Sequence, residues 1–133
     1  MVINNFLKYK TKNIKSTDFT VKDIEESKKI LFSIFTRYGD TIIDLVVIKE
    51  FIQKYNDKEY LILCPKQMVP YVNELLPSVR VIGFNKRNIL EFIQVNLLLK
   101  KEKFDLGFNP WSNGIDSSYL ISFCAKFLFY KEF

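Results

Sequence analysis

Residues Lys29 to Phe51 read KILFSIFTRYGDTIIDLVVIKEF, and the fold turns on this stretch. Ile30, Leu31, Phe32, Ile34 and Phe35 form an apolar run broken only by Ser33. A strand has that composition when both faces of its sheet are covered, as in a parallel sheet. Gly39, the first glycine of the chain, falls where a strand must reverse into a helix and where a positive φ costs least. Asp40 follows at a natural N-cap position. From Thr41 the chain carries Ile42, Ile43, Leu45, Val46, Val47, Ile48, Phe51 and Ile52, which predicts a helix buried on most sides.

In open α/β sheets ligands bind beyond the carboxyl ends of the strands, so the turn from Thr36 to Thr41 is the first candidate site. Its polar groups are Arg37, Tyr38 and Asp40. Asp40 has a structural alternative, which is to cap the helix and complement its dipole. The turn is neither a dinucleotide fingerprint nor a P-loop. One glycine cannot supply GxGxxG, and no GxxxxGK[ST] follows.

The 133 residues suit one domain with a substantial core, and 48% hydrophobic content argues against disorder. Twenty Lys and Arg against fifteen Asp and Glu give a net charge of +5, which fits an anionic ligand or a membrane surface without selecting either. Histidine is absent, which excludes a Ser-His-Asp triad and histidine metal ligands. Cys64 and Cys124 stand far apart in apolar surroundings and are expected to be small core residues of a protein in a reducing compartment, with no metal site. No signal-peptide pattern or membrane-span length is present, so a cytoplasmic location is expected.

Residues 1–28 are polar and lysine-rich and are expected to form an extension on the domain formed by residues 29–133. Lys8, Lys10, Lys12 and Lys15 alternate with Phe6, Leu7, Tyr9 and Ile14, a mixture suited to solvent or to anionic headgroups. Thr17 or Asp18 is placed to cap a short helix over Val21 and Ile24. Tyr60 to Cys64 predicts a strand stopped by Pro65, followed by a short helix entered at Pro70 and ended before Pro77. Val79 to Phe84 is a third strand. A helix capped by Asn88 follows, carrying Ile89, Phe92, Ile93 and Leu97 at helical spacing. Phe104 to Phe108 is a fourth strand, and a helix from Ser117 to Lys126 leads into a last strand from Phe127 to Tyr130. This alternation predicts a three-layer Rossmann-like α/β sandwich with a mainly parallel sheet. The loop after the fourth strand, Asn109 to Gly114, should then lie beside Asp40. Its Trp111, with Asn109, Pro110, Ser112 and Asn113, has the mixture that stacks on a sugar while hydrogen-bonding hydroxyls, or else caps the end of the sheet.

Taken in order, RYGDTIIDLVVIKEF, EYLILCPKQMVPYVNELLPSVRVIGFNKR and LLLKKEKFDLGFNPWSNGIDSS resemble the N-terminal half of glycosyltransferase family 9, the lipopolysaccharide heptosyltransferase-like enzymes. The pieces that carry the resemblance are Gly39-Asp40, the Pro77-Ser78-Val79 link, and Lys103-Phe104-Asp105-Leu106, within Lys29 to Phe129. It departs from the family pattern at Leu45-Val46, where many members have Thr-Pro, and at Ser117-Ser118, where many have Arg-Ser.

The resemblance implies the acceptor-side domain of a GT-B enzyme, with inverting transfer to a cell-surface glycan or lipid-linked acceptor. It implies Asp40 as catalytic base and an acceptor site at Arg37, Tyr38, Gly39, Asn109, Trp111, Ser112 and Asn113. No metal or other cofactor is expected in this chain. The nucleotide-sugar donor would bind a C-terminal domain lying outside these residues, so the chain alone is expected to be inactive. The expected partners are a saccharide or glycolipid acceptor and the inner-membrane surface as a peripheral contact, with weak self-association and no nucleic acid. The alternative is a non-catalytic α/β binding or interaction module.

Overall fold

A computed structural model describes residues 20–35, 38–85, 87–109 and 123–129, giving only the backbone for residues 38–41 and 126–129. The elements run α1 (Val21–Glu26), β1 (Lys29–Ser33), α2 (Tyr38–Lys54), β2 (Glu59–Cys64), a 3-10 turn (Lys66–Met68) continuing into α3 (Val69–Leu75), β3 (Arg80–Gly83), α4 (Ile89–Glu102), β4 (Leu106–Asn109) and β5 (Lys126–Phe129). The five strands pair in the order β3-β2-β1-β4-β5, and every pairing is parallel. The fold is therefore the expected three-layer Rossmann-like sandwich.

The apolar run of β1 is at the centre of this sheet. Ile30 and Leu31 are fully buried because they point to opposite faces, each covered by helices. Ile30, Phe32, Leu45, Ile48, Ile62, Cys64, Met68 and Val72 form one layer, beneath α2 and α3. Leu31, Leu61, Leu63, Phe92, Val95, Leu99 and Cys124 form the other, beneath α4. The path β1-α2-β2-α3-β3 steps outward over one face, and α4 returns across the other to reach β4. Right-handed crossovers require the two directions of travel to use opposite faces.

Apart from the site residues, four local expectations differ from the structure. First, α2 is not buried on most sides: Leu45 and Ile48 are buried, whereas Ile43, Val46 and Val47 are exposed. Second, the core stripe of α4 is Phe92, Val95 and Leu99, leaving Ile89, Ile93 and Leu97 outside. Both helices carry more apolar residues than one buried face can take, so composition overstated their burial. Third, α1 is capped by Thr20, whose backbone N–H donates to the Asp23 carboxylate at 2.8 Å, and not by Thr17 or Asp18. Fourth, Phe123–Ala125 form a turn and bend entering β5 at Lys126, where a helix was expected to continue. The remaining part of that helix, residues 117–122, lies outside the described residues.

Candidate functional site

The two ends of the sheet differ in construction. At the amino end, Arg80 donates two hydrogen bonds of 2.6 Å to the two carboxylate oxygens of Glu102. Lys29 Nζ donates to the same carboxylate at 3.3 Å and to the Glu102 carbonyl at 3.1 Å. These bonds hold the Glu102 carboxyl below the ordinary carboxylate range, with the Arg80 bond the largest cause. Asp105 accepts from the backbone N–H groups of Lys28 (2.8 Å) and Lys29 (3.0 Å). The Lys58 side chain is buried, and its Nζ donates to the carbonyls of Glu25 (3.0 Å) and Ser27 (2.7 Å), closing the end of α1. A concavity of about 500 Å³ lies here, but its cations Lys29, Lys58 and Arg80 are engaged within the protein.

At the carboxyl end the strands open onto a cleft of about 460 Å³, lined by Phe35, Pro65, Lys66, Gln67, Phe84, Asn85 and Arg87. These residues follow the ends of β1, β2 and β3. Backbone pairing persists to the rim, with Ile34 N–H donating to Leu63 carbonyl (2.8 Å) and Phe84 N–H to Cys64 carbonyl (3.1 Å). The Phe35 and Phe84 rings meet edge to face with centroids 4.9 Å apart and form an apolar wall. Gly83 lets the 3-10 turn close over the end of β3, since a Cβ there would collide with Val69 Cγ2 and come within 3.1 Å of Lys66 Cα.

The polar rim is held by short-range bonds. Asn85 Oδ1 accepts from Arg87 N–H (3.0 Å), and Asn88 Oδ1 accepts from Leu90 N–H (3.1 Å) and Glu91 N–H (3.2 Å), capping α4 as expected. Glu91 pairs with Lys66 and accepts from Asn85 N–H (3.2 Å). Its carboxyl is held below the ordinary range, first by the Lys66 bond. Lys66 and Arg87 are exposed at the opening, so the cleft offers an apolar wall with cationic and amide groups at its lip.

Of the residues singled out from sequence, Asn109 is buried at the end of β4. Continuing the register Phe32↔Phe108 by one residue sets it beside Ser33, also buried, whose hydroxyl makes no hydrogen bond. The ends of β1 and β4 are thus adjacent, as the expected meeting of their two loops requires. Tyr38, Gly39 and Asp40 form the first turn of α2, so Asp40 lies inside the helix and not ahead of it as an N-cap. Arg37, Trp111, Ser112 and Asn113 lie outside the described residues.

Sequence reasoning missed Lys66, Gln67, Asn85 and Arg87. The available signal was positional: CPKQ and FNKR follow directly on the second and third strands. Among the described residues no cluster of three acidic, histidine or cysteine side chains could hold a metal. Both cysteines are buried, and burial pushes each thiol up to about 12.

No family model and no curated protein matches the chain. Among solved structures, it superposes on the glycosyl transferase family 9 protein of Veillonella parvula DSM 2008 with a TM-score of 0.58 at 16% identity. The fold is glycosyltransferase-like. The match covers 82% of this chain and 31% of the Veillonella chain, so the chain spans under a third of that protein's length. No helix among the described residues is long and apolar enough to cross a membrane.

Proposed function

We propose that this glycosyltransferase-like domain is the acceptor-binding side of a family 9-like sugar transferase acting in the cytoplasm on a saccharide or glycolipid. The observation that carries the proposal is an open cleft with an apolar wall and a cationic lip at the carboxyl end of a glycosyltransferase-like sheet. In parallel α/β sheets this is the end where ligands bind.

In this proposal Phe35, backed by the buried ring of Phe84, takes an apolar face of the acceptor, and Lys66, Asn85 and Arg87 take its hydroxyls or an acidic substituent. Asp40 is the base. It accepts the proton of an acceptor hydroxyl as that oxygen attacks the anomeric carbon of a sugar held by a donor domain. The bond from sugar to nucleotide breaks, and the nucleoside diphosphate leaves with the electron pair. Asp40 stands in the first turn of α2, at the positive end of the helix dipole, where a negative charge is favoured.

The test joins the chain to a donor-binding domain and measures transfer from nucleotide-sugar to a panel of acceptors. Asp40→Asn should leave the folded domain intact and reduce transfer about 100-fold or more. Transfer at the parental rate would remove Asp40 from the chemistry. A second reading is a binding module without catalysis. That reading gains support if acceptors perturb the backbone amides of Lys66 and Arg87 yet no donor domain yields transfer.

A further inference from the structure

The outer face of α4 carries exposed apolar side chains and cations. Along the helix the exposed residues are Ile89, Leu90, Ile93, Gln94, Leu97, Lys100 and Lys101. Leu90 is 73% exposed and Leu97 62%. Positions 90, 93 and 97 recur at helical spacing, so their side chains stand on one stripe, away from the core stripe of Phe92, Val95 and Leu99.

The charges are sorted as well. The two carboxylates of α4 are turned aside and held by cations of the protein, Glu91 by Lys66 and Glu102 by Arg80 and Lys29. What α4 shows outward is therefore apolar, neutral at Gln94, or positive, with no unpaired carboxylate. Lys100 and Lys101 lie at one end of the stripe, followed by exposed Lys103, and Arg87 lies at the other. The exposed apolar residues of α2, by contrast, share their surface with Glu50 as well as Lys49 and Lys54.

We propose that the outer face of α4 is a docking surface for an anionic phospholipid bilayer, the apolar stripe entering the interface and the flanking cations contacting headgroups. A helix lying in the plane of a membrane combines these same features: apolar side chains on one face, cations at its borders and no exposed acid. A second copy docked through this same face would bring no uncommitted carboxylate of α4 to Lys100 and Lys101, whereas an anionic lipid surface supplies the counter-charge. Nothing here depends on sugar transfer, and the test below contains no sugar.

The full chain is sedimented with vesicles of phosphatidylcholine alone and of phosphatidylcholine mixed with phosphatidylglycerol, at low and high salt. The chain should bind the mixed vesicles, release them as salt rises, and ignore the neutral ones. Combined Leu90→Gln, Ile93→Gln and Leu97→Gln substitutions should reduce partitioning by at least about tenfold, as should Lys100→Glu with Lys101→Glu. Far-UV circular dichroism checks folding. Leu90→Asp, at the most exposed position, repeats the measurement if the triple variant does not fold. Ile43→Gln with Val47→Gln on α2 should change nothing. Failure of the parent chain to bind mixed vesicles overturns the proposal. So does binding that survives the α4 substitutions, since the lysines of residues 1–28 would then be responsible. An α4 variant that turns a dimer into a monomer with lipid binding unaltered overturns it in favour of a second copy.

Discussion

The two ends of the sheet are built from similar residues and put them to opposite use. At the amino end, cations and carboxylates face inward and close on one another, so Lys29, Lys58, Arg80, Glu102 and Asp105 stitch helices to strands. At the carboxyl end Lys66 also closes on a carboxylate, that of Glu91, but it does so at the exposed lip of an opening that Gln67, Asn85 and Arg87 line with it. The difference follows from connectivity. Chain segments entering strands at the amino end can be tied to neighbours that stay fixed, whereas those leaving strands at the carboxyl end must turn sharply. Such turns leave backbone N–H groups and side chains facing a shared space. Under the proposed function, the amino end holds the fold together and the carboxyl end receives the acceptor.

The largest effect expected from this division is at Glu102. Glu102→Gln keeps the shape but removes the charge that receives Arg80 and Lys29. The loss should be about 1.5 kcal/mol at neutral pH, moderated because Arg80 is half-exposed. Denaturant unfolding measures it. Because the folded-state pKa of Glu102 lies below its unfolded value of about 4.3, its contribution is complete above that pH. It fades as the pH drops through the depressed folded pKa, so parent and variant should converge in acid. A Glu102 variant that altered ligand binding in the cleft as strongly as stability would break the division between the ends.

A smaller effect is expected at the other end. Asn88→Ala removes the side-chain cap of α4 and should cost about 1 kcal/mol, read by the same unfolding curves. The cap sits beside Arg87 at the cleft lip, so this variant should also weaken ligand binding, which Glu102→Gln should not. Retained binding would mean that the lip is positioned independently of α4. The smallest effect returns to the amino end. Lys103 closes α4 with φ 54°, a left-handed conformation that a side chain disfavours. Lys103→Gly should raise stability by about 0.5 kcal/mol, visible as a small upward shift in the thermal midpoint. A fall instead would show that the Lys103 side chain contributes to that end.

The sheet was legible because the runs Ile30–Phe35 and Tyr60–Cys64 are too apolar and too short for anything but strands covered on both faces. The cap at Asn88 was legible because it needs only a local bond. Helix orientation was not. Both α2 and α4 carry apolar residues around much of their circumference, and nothing in Ile89, Ile93 and Leu97 distinguishes them from Phe92, Val95 and Leu99 until the sheet is in place. The cleft was half legible: the edge was identified from topology, but attention to the turns after β1 and β4 left out Lys66 and Arg87. Their role comes from how the ends of β2 and β3 sit beside Phe35, a non-local fact that no spacing in the chain records.

Cys64 lies in the layer under α2 and α3, Cys124 in the layer under α4, and both thiols are buried and held protonated. Only the thiolate attacks alkylating reagents, so neither sulfur reacts until its own layer opens. The molecule thus carries one reporter on each side of its sheet. The order in which they are labelled would tell which side lets go first.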